Sequence, residues 1–304
     1  MKFIFIVNPV AGKGNVARLV QEAVGGRTDC EIYETRGPRD ATAYIRHRCA
    51  EAPTEDACYV ACGGDGTANE VASGVAGQPA ASMTVFALGS GNDFVKAVGG
   101  VPLYRNVEAL LAAAPRPIDI LRVGDRWSIN AFHFGFDASV ARIMNAVKTK
   151  PIIGGRNAYM TGVVRALAGS MRTRCAMRVD GEDFFTGDML LCTVANGQYV
   201  GGSYRCAPRS LQDDGLAEIC LVKPVSRPRF VTLMSAYKNG THLEDPRFTS
   251  YIQYRQGSVV EVEGGPDFAV SLDGEVVEGT RFRVEVVRQG LRFAMPQVRQ
   301  PAMR

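Results

Sequence analysis

The stretch Tyr59–Val71, with the sequence YVACGGDGTANEV, places three glycines, one aspartate and one threonine directly after an apolar run. The apolar run, DACYVAC, predicts a buried β-strand, and TANEVASGVAG has the pattern of a helix that stops at glycine. Glycine costs backbone entropy and packs nothing, so glycines in this density indicate that the backbone approaches something closely. The candidate at this point is a phosphate group.

The first 120 residues around this stretch alternate strand and helix patterns. KFIFIV, CEIYET and MTVFALG predict further strands, and NVARLVQEAV, RDATAYIRHRCA and NDFVKAVG predict helices. Asp40 can cap the second of these helices. Strands that alternate with helices predict a mainly parallel sheet covered on both faces. We therefore predict an α/β domain over residues 1–122, which the segment 291–304 could rejoin.

After residue 122 the pattern changes to strands with few helices between them. RWSINAFHFGFDAS alternates polar and apolar residues, CAMRVDGEDFFTG has the pattern of a hairpin, and DMLLCTVANG, LAEICLV, SVVEVEG, PDFAVSLDG and TRFRVEVVRQG follow. Helices are predicted only at about Ala158 to Ala168 and in PRFVTLMSAYKN. This pattern predicts a second, antiparallel β-rich domain over residues 123–290.

The composition is that of a globular protein without a membrane span. Of 304 residues, 46% are apolar and 22% are charged, and no window of 18 uninterrupted apolar residues occurs. The eight cysteines include no CxxC pair, and several lie inside apolar runs, which is typical of reduced, buried thiols in an intracellular protein. We expect a cytoplasmic protein with no nucleic-acid partner, and peripheral contact with the inner face of the membrane stays open.

The net charge of +4 excludes little, but its distribution is uneven. No acidic residue lies between Asp137 and Asp180, whereas the basic residues of that segment are Arg142, Lys148, Lys150, Arg156, Arg165, Arg172, Arg174 and Arg178. A field of one sign can attract an anionic surface. A solvated helix face explains the same residues equally well.

Three glycine-containing loops would meet at one edge of the parallel sheet. NPVAGKGN, GGDGT and LGSGND each join a predicted strand to a predicted helix, and ligands bind beyond the carboxyl ends of such strands. Free N–H groups at helix N-termini favour anions there. Asp65 would repel a bare phosphate, but it suits a Mg²⁺ ion held between carboxylate and phosphate. The P-loop pattern GxxxxGK[ST] and the dinucleotide pattern GxGxxG are both absent.

Motifs along nearly the whole chain resemble those of the diacylglycerol kinase catalytic family, which includes bacterial lipid kinases and has sphingosine and ceramide kinases as relatives. The similar segments are VNPVAGKG, CGGDGTANEV, LGSGNDF, FHFGFDASVA, VANGQYVGG, APRSLQDDGL and VSLDGE, in the family's order. The resemblance implies a Rossmann-like N-terminal domain, a β-sandwich-like C-terminal domain and an active site between them.

The resemblance also implies individual roles. The residues expected to line an ATP site are Asn8, Thr35, Gly64, Asp65, Gly66, Thr67, Asn69, Glu70 and Ser90, the last in place of the family's usual threonine. The Asp214 side chain and the carbonyl groups of Leu211 and Leu216 would hold Mg²⁺. Glu275 would accept the proton of the acceptor hydroxyl, with Asp65 as the second catalytic carboxylate. Without the resemblance, DGE and DDG are ordinary turn sequences, and Asp273 is a nearby rival that could cap the turn.

The predicted function is that of an ATP- and Mg²⁺-dependent lipid kinase acting on the hydroxyl of diacylglycerol or a related lipid. Phosphatidylglycerol or a sphingoid base stays open as the acceptor. An NAD kinase shares GGDGT and the two-domain plan, although NEV and LGSGNDF favour the lipid branch. A catalytically silent nucleotide- or lipid-binding protein is the other alternative, against which the intact Asp65, Asp214 and Glu275 argue. The oligomeric state stays open.

Overall fold

The computed structural model describes residues 1–147, 165 and 169–297, and the elements below are numbered within those residues. Contacts between Cα atoms divide the chain into two compact units, Met1–Ile120 with Arg288–Arg304, and Leu121–Val287. Lys148, Lys150 and Arg156 of the basic segment lie outside the described residues, as does the helix predicted near Ala158 to Ala168 except for Arg165.

A parallel sheet forms the centre of the first unit. Its strands are β1 (Lys2–Val7), β2 (Cys30–Glu34), β3 (Ala57–Gly63) and β4 (Ala81–Ala87). They are arranged in the order β2-β1-β3-β4, and every neighbouring pair is parallel. All residues of β3 and β4 are buried, as expected for strands that helices cover on both faces. Phe293, near the end of β16 (Arg281–Ala294), pairs in parallel with Met83 of β4.

Helices follow each of these strands. They are α1 (Val16–Val24), α2 (Asp40–Glu51), α3 (Asp65–Val75), α4 (Asp93–Ala97) and α5 (Val107–Leu111), with 3-10 turns at Ala11–Gly14 and Leu103–Arg105. The prediction that Asp40 caps α2 is wrong. Arg39 is the N-cap, with φ 68°, and the Asp40 carboxylate instead accepts hydrogen bonds from the Arg36 N–H and the Tyr33 hydroxyl.

The strand order reverses between β1 and β3. From β1 the chain passes through α1 to β2 on one side, whereas from β3 it passes through α3 to β4 on the other side. In open parallel sheets such a reversal leaves a crevice beyond the carboxyl ends of the two central strands, where ligands bind. The topology thus indicates that the residues directly after β1 and β3 are the candidates for ligand binding.

Two antiparallel sheets form the second unit. One contains β7 (Ala131–Gly135), β10 (Leu191–Ala195), β11 (Ala217–Val222), β12 (Ile252–Gly257), β14 (Ala269–Leu272) and β15 (Glu275–Glu278), in the order β12-β11-β10-β7-β14-β15. The other places β8 (Thr173–Val179), β9 (Glu182–Met189) and β13 (Val259–Gly264) beside the first part of β16, in the order β16-β13-β8-β9. A short hairpin of β5 (Pro115–Val123) and β6 (Arg126–Ser128) pairs with β16 through β5.

An apolar core joins the inner faces of these two sheets. Phe132 and Val194 of the six-stranded sheet belong to the same buried cluster as Met177 and Val262 of the other. The outer face of the six-stranded sheet is covered by α6 (Phe136–Val147) and α7 (Arg227–Asn239). The central strands β7, β10 and β11 are therefore buried throughout. A parallel α/β unit followed by an antiparallel sandwich confirms the predicted fold class.

The alternating strand predicted for RWSINAFHFGFDAS is wrong in part. β7 is buried on both faces, so it has no polar side, and the chain turns into α6 at Phe136. The helix predicted for PRFVTLMSAYKN is present as α7.

Candidate functional site

The residues predicted for the nucleotide site lie beyond the carboxyl ends of β1, β2, β3 and β4, either in the loops that follow these strands or in α3. Asn8 follows β1, Thr35 follows β2, the segment from Gly64 to Glu70 follows β3, and Ser90 lies after β4. Because parallel strands end at one edge of the sheet, these loops share that edge. The structure thus brings together residues that are up to 82 positions apart in sequence, from 8 to 90.

Asn8 and Thr67 connect the two loops that flank the reversal in strand order. The Asn8 side-chain NH₂ group donates a hydrogen bond of 3.3 Å to the Thr67 hydroxyl, and the Asn8 side-chain oxygen accepts one from the Val10 N–H. Thr35 lies on the neighbouring loop and donates its N–H to the Val7 carbonyl oxygen at 2.9 Å. Both side-chain amide atoms of Asn8 are therefore used to shape the loop after β1.

An open cleft of about 170 Å³ lies beside these contacts. Of the predicted nucleotide residues, Asn8, Thr35, Thr67 and Glu70 line it. Its remaining lining residues are Pro9, Val10, Arg36, Gly37, Pro38 and Ala41. Arg36 places a guanidinium group in the lining. The sequence analysis missed Arg36, although its position next to Thr35 could have indicated it.

Several glycines of these loops are required by contacts between the loops. A Cβ atom on Gly63 would lie 2.4 Å from the Thr67 hydroxyl oxygen, and one on Gly89 would lie 2.2 Å from the Gly64 Cα atom. On Gly91 it would lie 2.2 Å from an oxygen of the Asp65 carboxylate. The expectation that a phosphate explains this glycine density is therefore too simple. At Gly66, as at Gly14 and Gly37, the added atom would meet nothing within 4 Å, so there is open space beside the Gly66 backbone.

The Asp65 carboxylate holds the segment after β4 against the start of α3. One oxygen accepts the Asn92 N–H at 2.9 Å, and the other accepts the Asp93 N–H at 2.5 Å. Asp65 is the first residue of α3 rather than the tip of a loop, which the sequence analysis did not anticipate. This carboxylate therefore contributes to the structure as well as to any ligand site.

Charge at Asp65 is influenced by a second acid. Burial and, next to it, the Asp93 carboxylate raise the pKa of the Asp65 carboxyl group to about 6, although the two N–H donors favour its ionised form. Asp93 in turn accepts a hydrogen bond of 2.7 Å from the Lys96 ammonium group. The NDF sequence after the LGSG turn carries Asp93, so its motif was recognised while its own contribution was missed.

Four of the predicted nucleotide residues differ in how firmly the structure holds them. The side-chain oxygen of Asn69 accepts a 3.4 Å hydrogen bond from the Ser73 hydroxyl. The carbonyl oxygen of Glu70 accepts one of 2.7 Å from the Thr42 hydroxyl, which ties α3 to α2. Ser90 and Gly66 are exposed.

The predicted metal residues lie in the loop before β11. The Leu216 N–H donates to a carboxylate oxygen of Asp214 at 3.0 Å, which forms a local turn around that side chain. Leu211 is 54% exposed. Convergence of the Leu211 and Leu216 carbonyl groups on Asp214 stays a prediction.

Glu218 is a buried acid close to Asp214 that the sequence analysis missed. It accepts a hydrogen bond of 2.9 Å from the Gln256 amide and another from the Tyr254 hydroxyl. Burial raises the pKa of Glu218, and the charge of Asp214 raises it as well. In the sequence, Glu218 could have been recognised as the single acid inside the apolar strand LAEICLV.

Glu275 and Asp273 have opposite environments, although they are two residues apart. Asp273 and Gly274 form the turn between β14 and β15, both with positive φ, and the Asp273 carboxylate accepts hydrogen bonds from the Ser128 hydroxyl and from three backbone N–H groups, those of Ile129, Asn130 and Ala131. Glu275 is exposed, and its described contact is a 3.5 Å ion pair with Arg126. The expectation that Asp273 caps its own turn is wrong, because its carboxylate binds the β6–β7 turn instead.

Oxygen ligands for a cation are available, but carboxylates do not cluster. Within the described residues, no group of three or more His, Cys, Asp or Glu side chains could hold a metal ion. Each oxygen of Asp65 accepts one N–H group and keeps a lone pair. Mg²⁺ suits such a place, because it is bound in proteins through one or two carboxylates and otherwise keeps water or phosphate oxygens.

The sheet reversal, the cleft and the acidic helix start belong to an α/β unit that is joined in sequence to a β-sandwich. Residues 2–123 match the diacylglycerol kinase catalytic domain, and residues 130–295 match the YegS C-terminal NAD kinase beta sandwich-like domain. The chain belongs to the diacylglycerol kinase catalytic family and is therefore an enzyme of the kinase class. This confirms the resemblance found in the sequence.

Individual relatives agree with this membership. The chain is 32% identical over 243 residues to a protein of Pseudomonas aeruginosa named probable lipid kinase YegS-like, covering 79% of this chain and 77% of the relative. A Serratia proteamaculans protein of the same name is 29% identical, covering 94% and 91%. A diacylglycerol kinase structure from Bacillus anthracis shares the fold with a TM-score of 0.70 at 20% identity, covering 97% and 96%.

The described helices include none with the length and apolar character needed to cross a bilayer.

Proposed function

We propose that the protein transfers the γ-phosphoryl group of ATP, in the presence of Mg²⁺, to a hydroxyl group of diacylglycerol or a related lipid. The observation that carries this proposal is the cleft at the β1–β3 reversal, lined by Asn8, Thr35, Thr67 and Glu70. The lipid acceptor is inferred from the relatives named as lipid kinases.

The nucleotide would use backbone and hydroxyl groups of the first unit. Gly66 is exposed in the first turn of α3 and has open space where a side chain would be, so a phosphate group can approach its N–H. The Thr67 hydroxyl group and the exposed Ser90 offer further donors, with Gly64 and Asn69 beside them. Arg36 in the cleft lining adds a positive charge that favours a polyphosphate.

Metal binding would rest on two carboxylates with different partners. Asp65 would hold Mg²⁺ beside the phosphates, and Asp214, with the carbonyl groups of Leu211 and Leu216, would hold Mg²⁺ at a separate site away from the phosphates. Bound Mg²⁺ neutralises the negative charge that develops on the transferring phosphoryl group. Because Asp65 has a pKa of about 6 in its buried position, it is largely ionised near pH 7 and can bind a cation.

Glu275 is the proposed proton acceptor. In the reaction the oxygen of the acceptor hydroxyl forms a bond to the γ-phosphorus of ATP. The bond between the γ-phosphorus and the β–γ bridging oxygen breaks, and that oxygen leaves with ADP. The proton of the acceptor hydroxyl passes to the Glu275 carboxylate. Asp273 is unsuited to this role, because it is bound by one hydroxyl and three N–H donors. The exposed Glu275 side chain can reach an incoming substrate.

Incubation with labelled ATP and a panel of acceptors tests the proposed function. We expect label in diacylglycerol or a related lipid, and no transfer after chelation of Mg²⁺. Phosphorylation of NAD alone would overturn the lipid assignment. ATP binding without transfer to any acceptor would indicate a silent binding protein.

Two matched amide variants test the assignment of the base. Glu275→Gln keeps the side-chain shape but removes the proton acceptor, so kcat should fall about 10²- to 10⁴-fold while ATP binding stays unchanged. Asp273→Asn should instead lower the free energy of unfolding, because the carboxylate at this position accepts four hydrogen bonds. Loss of kcat in a stably folded Asp273→Asn variant, with Glu275→Gln active, would reverse the assignment.

A further inference from the structure

One face of α7 combines exposed basic and apolar side chains. Arg227, Val231, Ser235 and Lys238 follow one another at helical spacing, and all four are exposed. We name these four residues the α7 stripe. Val231 is 65% exposed, which makes it one of the large apolar residues most open to solvent among those described. The opposite face is buried against the six-stranded sheet through Phe230, Leu233, Ala236 and Tyr237.

The sequence around the stripe contains no acid. No Asp or Glu occurs from residue 219 to residue 243, whereas Lys223, Arg227, Arg229 and Lys238 do. Arg229 lies outside the stripe, where its guanidinium group donates to the Tyr251 hydroxyl at 2.6 Å. The stripe thus carries two cations around a central apolar side chain.

The start of α7 contacts the other acid-free segment of the chain, the one between Asp137 and Asp180. The Arg227 guanidinium group donates a 3.4 Å hydrogen bond to the Gly169 carbonyl oxygen. Gly169 belongs to the run between Asp137 and Asp180 that has no acidic residue. The start of α7 therefore contacts this other acid-free segment at Gly169, although the two are far apart in sequence.

We propose that the α7 stripe docks on an anionic lipid bilayer. Basic side chains are attracted to the negative surface of such a membrane, and an exposed apolar side chain between them can enter the boundary between headgroups and acyl chains. A protein partner of matching shape would need acidic groups facing two cations and an apolar pocket for Val231, whereas a bilayer offers both everywhere on its surface. The proposal rests on the proposed function, because a lipid acceptor requires the enzyme to reach a membrane.

Vesicle co-sedimentation of the full chain, without ATP, tests this docking. The probe is a vesicle of equal parts phosphatidylglycerol and phosphatidylcholine, compared with pure phosphatidylcholine. Arg227→Gln with Lys238→Gln should weaken binding about fivefold for each charge removed, and salt should weaken wild-type binding. Val231→Glu should weaken it at least about tenfold, because it replaces the apolar contact by a charge repelled from the surface.

A charge-matched control separates the stripe from net charge. Arg18→Gln with Arg281→Gln removes two exposed cations elsewhere in the chain and should leave vesicle binding near the wild-type value. Circular dichroism checks that each variant is folded. Wild-type protein that ignores anionic vesicles, or stripe variants that bind like the control, would overturn the proposal, as would a change in oligomeric state caused by Val231→Glu.

Activity on diacylglycerol in neutral detergent micelles distinguishes this proposal from the proposed function. The stripe variants should phosphorylate micellar lipid at the wild-type rate and lose rate only on anionic vesicles. If the wild type binds vesicles but phosphorylates no lipid, the docking surface stands and the proposed function fails. If the stripe variants lose activity equally in micelles and on vesicles, docking is not the role of these residues.

Discussion

The carboxylate of Asp65 accepts N–H groups from Asn92 and Asp93, so the first turn of α3 is bound to the segment after β4. A residue of the GGDGT motif thus determines the geometry of the segment after β4. The two contributions affect different measurements. Loss of the proposed cation ligand would lower turnover, whereas loss of the hydrogen-bond acceptor would leave two backbone N–H groups without partners and lower the free energy of unfolding.

Asp65→Asn should therefore affect both properties. The amide keeps one acceptor oxygen but turns an NH₂ group toward a backbone N–H, so we expect the free energy of unfolding to fall by about 1–3 kcal/mol, together with loss of kinase activity. Urea denaturation measures the first and the ATP assay the second. Asp56→Asn is the control, because Asp56 is exposed and pairs only loosely with the N-terminal amine at 3.7 Å. An Asp65→Asn variant as stable as Asp56→Asn would contradict the structural part of this account.

At the scale of elements, the loops after β3 and β4 pack through their glycines. Gly89 faces the backbone of Gly64, and Gly91 faces the carboxylate of Asp65. Gly66 faces open space. Two different causes therefore explain why glycine occurs in these adjacent motifs. Gly89 and Gly91 are required by contact between the loops, whereas Gly66 leaves room for a ligand.

Gly91→Ala should destabilise the protein by about 1–3 kcal/mol, because the new methyl group overlaps an oxygen of Asp65. Gly265→Ala is the matched control, since a Cβ atom there meets nothing within 4 Å and its φ is not positive. Thermal and urea unfolding of the two variants give the comparison. Equal unfolding midpoints for the two variants would contradict this prediction, because the loops would then accommodate the methyl group without loss of stability.

Gly66→Ala should behave in the opposite way. Alanine favours the helix by up to about 1 kcal/mol and meets no neighbour, so stability should be unchanged or higher. If a phosphate group uses this opening, the Kd for ATP should rise, which calorimetry measures. Unchanged ATP affinity would remove Gly66 from the proposed site.

The elements of the first unit could be predicted from sequence because β1, β3 and β4 are short apolar runs and each of them ends at a glycine-containing loop. The order of strands, and hence the cleft at the reversal, requires knowledge of the fold. Contacts over long sequence distances could not be predicted, such as Asp273 with residues 128–131. Helix α6 was missed because β7 is buried on both faces and continues directly into an apolar helix, which removes the change of period that would mark the boundary.

At the scale of the whole molecule, two of the three histidines are buried, and burial lowers the pKa of both His133 and His242 to about 4. In the unfolded chain the histidine pKa values are near 6.5. Between pH 4 and pH 6.5 the unfolded chain therefore binds protons at these two histidines that the folded chain does not bind. Stability should therefore fall as the pH drops from about 6.5 to 4, by up to about 3 kcal/mol for each histidine.

Denaturation of His133→Asn across this pH range checks the attribution. Asparagine can retain a hydrogen bond to the Thr193 hydroxyl, which His133 contacts at 3.1 Å, but it does not titrate. This variant should lose less stability on acidification than the wild type, whatever its stability at pH 7. His47→Gln, at an exposed position, should keep the wild-type pH dependence. Parallel curves for all three proteins would place the acid sensitivity elsewhere.

The pairing of Phe293 with Met83 has a consequence for biosynthesis. The hydroxyl of Thr84, also in β4, donates to the carbonyl oxygen of Ala294, so the outer side of β4 is completed by residues more than 200 positions later. During translation, the outer edge of β4 in the parallel sheet stays unpaired until the whole antiparallel unit has been translated. Nascent chains stalled before residue 288 should then recruit chaperones and aggregate, because exposed strand edges are templates for intermolecular pairing.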